Sequence, residues 1–193
     1  MLLQDHCDAV SDALTRDEFQ RALVRFAQEL GFAMVSASAV YDRPGADAEF
    51  VTAHNAPESY LPIFLSGCGA FDPVMQHCKH SGLPIVWDQA TYVRAGRGEQ
   101  WEVQAAHGLR TGISMALHLP HGTHFVFGVD GDGPLPKQQH ELSRMVTDLV
   151  SVMMYAQDNA LRLLPLQSGL LSGEHQKTNA FEWLSFPWTD LPS

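Results

Sequence analysis

The run GISMALHL-PHGT-HFVFGVD, residues 112–130, limits the possible folds more than any other stretch. Two extended apolar segments flank a short turn signal containing Pro and Gly, which is the chemistry of a hairpin. Strands joined this tightly run antiparallel. A second such pair precedes them. FAMVSASAVY places Met34, Ser36, Ser38 and Val40 on one face and Val35, Ala37 and Ala39 on the other. RPGADA then turns the chain, and EFVTAH reads as the antiparallel partner.

Helices account for most of what remains. In TRDEFQRALVRFAQELGF, Thr15 and Glu18 make a capping box, and Phe19, Ala22, Leu23, Phe26, Ala27 and Leu30 recur at helical spacing up to Gly31. Two short helices are expected over 57–67 and 73–81, a brief extended run at LPIVW, and a helix in EQWEVQAAHG that Gly108 stops. The longest helix lies in KQQHELSRMVTDLVSVMMYAQDNALRLL, where Leu142, Met145, Leu149, Val152, Met153 and Ala156 form a broad apolar stripe. This order predicts an α+β chain, an α-β-α sandwich whose central antiparallel sheet is flanked by helices. With 193 residues, 45% of them hydrophobic, the chain supports one core. Residues 1–164 form that domain, and 165–193, rich in Pro, Ser and Gly and without a period, form an irregular tail.

Charge excludes one class of function. The chain has 22 Asp and Glu against 12 Lys and Arg, a formal net charge of −10, so a duplex-DNA face built of clustered bases is not expected on it. MLLQDHCDAV has neither a basic leader nor a sustained apolar run, and no segment is long enough to span a bilayer. Cys7, Cys68 and Cys78 are odd in number and unpatterned, as suits reduced thiols. The expectation is a cytoplasmic protein without membrane contact.

Three readings compete for DPVMQHCKHSGLPIVWDQ. A metal site would draw on His77, Cys78 and His80, or on His118, His121 and His124 nearer the hairpin, but no CxxC or HExxH spacing accompanies either set. A catalytic site would pair Cys78 with His77. No GxSxG elbow, phosphate-binding loop or full dinucleotide fingerprint supports an enzyme, and no cofactor is expected. The third reading is a small-molecule pocket. There Asp72, ahead of Pro73, is either a helix cap or a buried acceptor, and Trp87 and Trp101 are either core or pocket wall.

NAPESY, DPVMQHCKHSGLPIVW and AAHGLRTGISMALH together resemble the successive signatures of the LuxR-type autoinducer-binding domain, over about residues 15–162. The specific elements are Asp72-Pro73, Trp87 fourteen residues after that Pro, and the Gly112-containing motif. The resemblance implies a PAS/GAF-like sandwich that binds an N-acyl-homoserine lactone and works as a dimer. It makes Asp72 the acceptor for the ligand's amide N–H, Trp87 and Trp101 walls of the lactone site, and aliphatic residues such as Val74 the acyl channel. Tyr60 stands where the family's lactone-donating Trp is usual, Phe64 where a Tyr is usual, Ala56 for an aromatic residue, Ala116 for Pro and Gly128 for Ser or Thr. Ser36, Ser38 or Ser114 then become the replacement donors. Family members continue into a helix-turn-helix domain, and the tail here shows none. The expectation that follows is a receptor part that does not bind DNA itself and forms a homodimer, or a heterodimer with a full-length LuxR-type receptor whose output it dampens. The alternative is a ligand-independent dimerisation protein derived from such a receptor.

Overall fold

A computed structural model describes residues 2–43, 48–60 and 71–165. In chain order the elements are α1 (Leu3–Asp12), α2 (Arg16–Glu29), β1 (Met34–Tyr41), β2 (Glu49–His54), α3 (Pro73–His80), β3 (Ile85–Trp87), α4 (Gln89–Arg94), α5 (Gly98–Ala105), β4 (Thr111–Leu119), β5 (Thr123–Gly131) and α6 (Gln139–Leu163). Most of RPGADA, the greater part of the helix expected over 57–67 with Phe64 in it, and the tail from 166 lie outside the described residues.

The five strands form one antiparallel sheet in the order β2-β1-β5-β4-β3. Strand parity decides what each face carries. Val35, Ala37 and Ala39 of β1 and Phe125, Phe127 and Val129 of β5 pack into the main core with Phe19, Leu23 and Phe26 of α2 and Leu149, Val152 and Met153 of α6. Each of the larger of these side chains contributes roughly 1.5–3 kcal/mol on burial. The opposite face is paved with small residues. Ser36 pairs with Gly128, and Gly128 with Ser114, so no large side chain fills the middle of this surface. Helix α3 packs on β3 and β4 from the far side, and Tyr92 of α4 and Gln104 of α5 border the same space. A wall of small residues under a helical roof leaves a hollow.

The capping box at α2 is present as expected. Thr15 accepts from the Glu18 N–H at 3.2 Å, and Glu18 accepts from the Leu14 and Thr15 N–H groups. The turn between β4 and β5 places both His121 and Gly122 in the left-handed region, at φ 62° and 66°. Such a two-residue turn suits the twist of a hairpin. A Cβ at Gly122 would come within 2.0 Å of the Asp42 carbonyl oxygen.

Helix α1 was not foreseen, because LQDHCDAVSD buries only His6, Cys7 and Val10 and offers too short an apolar stripe to read. It is held by α6. Asn159, itself buried, donates from Nδ2 to the carbonyls of Val10 and Ala13 at 2.7 and 2.9 Å. Arg162 donates to the Ala13 carbonyl and to Oδ1 of Asn159. The C-terminal carbonyls of α1, which a helix cannot satisfy internally, are thus satisfied by a helix far along the chain. Asn159→Ala strands a buried acceptor and is expected to lower stability by about 2–3 kcal/mol. A melting curve would register this as a fall of about 5–10 °C.

Candidate functional site

The hollow between the sheet and α3–α5 is a cavity of about 120 Å³. Typical small-molecule sites enclose roughly 300–1,000 Å³, so an acylated occupant has to displace side chains to settle. Seven of the residues expected at a pocket line it: Ser36, Ser38, Tyr60, Asp72, Val74, Trp87 and Ser114. Trp101 is not part of that lining. It packs half-buried against the cluster that contains Met34, Tyr60, Val74, Trp87, Tyr92 and Leu109, and its indole N–H donates to the Arg110 carbonyl at 2.9 Å.

Asp72 fills both roles that the sequence left open. Oδ1 caps α3, accepting from the N–H groups of Val74 and Met75 at 2.9 and 3.0 Å, and Pro73 sits in the first turn as expected. Oδ2 accepts from the Tyr92 hydroxyl at 2.8 Å and from Gln100 Nε2 at 2.9 Å, and the residue lines the cavity. Burial pushes this carboxyl above the ordinary aspartate value, and the N–H groups of Met75 and Val74 and the Tyr92 hydroxyl oppose the rise. The Tyr92 phenol is raised far above its usual range by burial first and then by the Asp72 charge, so it stays a donor.

Trp87 and Gly112 explain each other. They are directly paired across β3 and β4, and the indole lies so close over Gly112 that a Cβ there would sit 2.6 Å from two of its ring atoms and 2.5 Å from the Val129 carbonyl oxygen. The indole N–H donates to Ser114 Oγ at 3.2 Å, and the ring meets Tyr92 edge-on at 5.8 Å. Ser114 Oγ also stands 3.0 Å from where a Cβ of residue 128 would be. The serine of β4 therefore occupies space that a Ser or Thr at position 128 would take. Ser38 and Thr52 share a hydrogen bond of 2.7 Å on the adjoining wall.

Four lining or supporting residues escaped the sequence reading: Tyr92, Gln100, Gln104 and Asp130. Tyr92 comes from the six-residue helix α4, capped by Asp88 and too short to show a period. Gln104 lies beside the Tyr92 hydroxyl, and its Nε2 completes no hydrogen bond. Asp130 had a readable signal. In HFVFGVD it shares parity with Gly128, so it belongs to the face that carries the pocket.

The competing readings find little support in the geometry. His77 turns Nε2 to the Leu83 carbonyl at 2.8 Å, and His80 turns Nδ1 to the Gln76 carbonyl at 2.7 Å. Cys78 is fully buried, and burial, then the Asp72 charge, pushes its thiol up to about 12, so no thiolate forms at neutral pH. His118 and His124 face each other at 2.9 Å between Nδ1 atoms, while His121 lies in the hairpin turn. Among the described residues no three His, Cys, Asp or Glu side chains are grouped to hold a metal, and no helix is long and apolar enough to cross a membrane.

Residues 15–160 match the family of the autoinducer binding domain. Among solved structures, the LuxR family transcription factor CepR2 from Burkholderia cenocepacia, N-acylhomoserine lactone dependent, is 21% identical at a TM-score of 0.73, covering 84% of this chain and 95% of that one. Escherichia coli SdiA is 19% identical at 0.71, covering 91% and 73%. A phycoerythrobilin-bound GAF domain from a cyanobacterial phytochrome shares the fold at 0.52 with 12% identity, covering 84% and 98%. No curated protein matches the chain.

Proposed function

The chain belongs to the autoinducer-binding domains, the signal-binding part of LuxR-type regulators, and from that premise we propose that its cavity receives an N-acyl-homoserine lactone and binds it without transforming it. The observation that carries this reading is Asp72. A secondary amide buried in an apolar site must keep its N–H bonded, and Asp72 presents an oxygen to the cavity whose present donor, Gln100, can be exchanged for a ligand amide. Ser36, Ser38, Tyr60 and Ser114 supply hydroxyls for the ligand's carbonyls. Val74 and Trp87 supply apolar wall. A thiol held neutral and a His77 directed elsewhere support binding over catalysis.

A ligand that binds only the folded chain raises its melting point. At a hundredfold excess over Kd the gain is about 2.7 kcal/mol, a rise of about 5–10 °C for a domain of this size. Thermal shift across lactones of increasing acyl length is the test. A flat response from all of them, with folded protein, would remove the lactone reading.

A pairing role is the second reading, favoured by the outer side of α6, where Met154 and Tyr155 are about half exposed. We propose that this face joins a second LuxR-type chain, either a copy of this one or a full-length receptor. The net charge of −10 supports a role exercised without duplex-DNA contact by this chain. Glu substitutions at Met154 and Tyr155 should abolish co-purification with a receptor if the face is used. Co-purification that survives them would place the contact elsewhere.

A further inference from the structure

Asp130 is a second carboxylate on the cavity wall, and nothing in the site described so far uses it. It stands on β5 between Met34 of β1 and Gly112 of β4, on the face shared with Val126 and Gly128. Asp72 accepts four hydrogen bonds, whereas Asp130 accepts none from any described residue. No Lys or Arg lines the cavity among the described residues. The titratable groups that do are Asp72 at the start of α3, Tyr92 on α4, Tyr60 ahead of α3, and His54 on β2, whose own ring is kept neutral by burial and by Arg16. Burial, and then the charge of Asp72, pushes Asp130 up to about 7.

A carboxylate so placed is satisfied by taking up a proton or by accepting a hydrogen bond, and no described residue offers it a donor. We propose that Asp130 is a ligand-binding residue that accepts a hydrogen bond from a hydroxyl of the bound signal, so that the pocket selects N-acyl compounds carrying a free hydroxyl within a few atoms of the amide. This rests on reading the cavity as the signal pocket. Asp72 and Asp130 line the same small cavity, which sets the hydroxyl near the amide that Asp72 takes. A neutral hydroxyl enters this enclosed site at less cost in lost hydration than an ammonium does. A methylene in the same place leaves Asp130 unpartnered. A keto oxygen there meets it with like partial charge.

The hydroxyl could belong to the acyl chain or to the head group, and four probes separate these sources: N-octanoyl-homoserine lactone, its 3-hydroxy and 3-oxo forms, and N-octanoyl serinol. Affinities are measured by calorimetry on the full chain, wild type and Asp130→Ala. One hydroxylated probe is expected to bind the wild type about tenfold more tightly than the plain lactone, the worth of one hydrogen bond to a charged acceptor. Whether it is the 3-hydroxy form or the serinol amide identifies the source. In Asp130→Ala the ratio should fall to about one. A ligand-free arm uses the isosteric Asp130→Asn. The folded-state value lies above that of an unfolded Asp, about 3.9, so the wild type loses stability as pH rises from about 4 through 7. The two proteins should then differ least near about pH 3.5, below the unfolded value, and Asp130→Asn should melt several degrees higher than the wild type at about pH 8. Equal affinity for all four probes, or a hydroxyl preference that survives Asp130→Ala, overturns the proposal and leaves the pocket standing. Silence from every probe overturns the lactone reading with it.

Discussion

Asp72→Asn is expected to cost the fold about 2 kcal/mol and to weaken lactone binding about a hundredfold or more. Asparagine keeps one carbonyl oxygen, so the cap on Val74 and Met75 survives, and Asn is as good a cap as Asp. The other oxygen becomes an NH₂ group that faces two donors, the Tyr92 hydroxyl and Gln100 Nε2. Two hydrogen bonds to a buried charged acceptor are lost or forced to rearrange. A ligand amide would likewise meet a donor where it needs an acceptor. The control is Asp88→Asn. Asp88 caps α4 through the Thr91 N–H at an exposed position and touches nothing in the cavity, so that change should stay within about 0.5 kcal/mol. Urea melts and lactone titrations on both variants settle the matter. If Asp72→Asn is as quiet as Asp88→Asn, Asp72 is a cap and no more.

Gly112→Ala should be still more damaging to the fold. Its methyl group would meet the Val129 carbonyl oxygen at 2.5 Å and the Trp87 indole at 2.6 Å. The first obstacle is backbone of a strand paired on both sides, and the second is a ring packed against Tyr92 and anchored on Ser114. Neither yields easily. Overpacking of a core costs about 1–3 kcal/mol and more where backbone must shift, so a loss of about 3–4 kcal/mol or failure to accumulate as soluble protein is expected. Adding Trp87→Leu should recover only the part due to the ring. Gly128→Ala provides the contrast. Its close neighbour at 3.0 Å is the Ser114 hydroxyl, which can rotate away, and a change of less than about 1 kcal/mol is expected. A denaturation midpoint for Gly112→Ala as high as that of Gly128→Ala would refute this account of the Trp–Gly contact.

Much of the frame was legible because it is written in periods. The capping box at Thr15, the alternation in residues 34–41 and the hairpin at 112–130 are local signals, and each fixes its element before any tertiary contact forms. The two faces of β1 were readable for the same reason, whereas Ser36 and Ser38 entered as candidate ligand donors only through the family resemblance. Helix α1 was not, since its stability comes from Asn159 and Arg162, and spacing within residues 3–12 carries no trace of them. The hydrogen bonds on Asp72 were hidden likewise. Tyr92 and Gln100 reach it from 20 and 28 residues away, on helices too brief to show a face. Asp130 was visible by parity alone, as the last residue of HFVFGVD on the face of Gly128.

The Asn159 clasp on α1 has a consequence for the order of events during synthesis. Its two partners in the first helix lie 149 and 146 residues earlier in the chain. Ribosomes add about 5–20 residues each second, so the opening helix waits roughly 10–30 s before its partner exists. Through that interval the apolar faces of α2 and β1 that α6 will cover are open to water, or to whatever else in the cell binds exposed apolar surface. Pairings this distant also slow folding in general, because chain closure must precede the contacts that reward it. The last helix is therefore a commitment step. A nascent chain halted before Asn159 is a holding state for chaperones, and the cavity becomes usable only once α6 has emerged and docked.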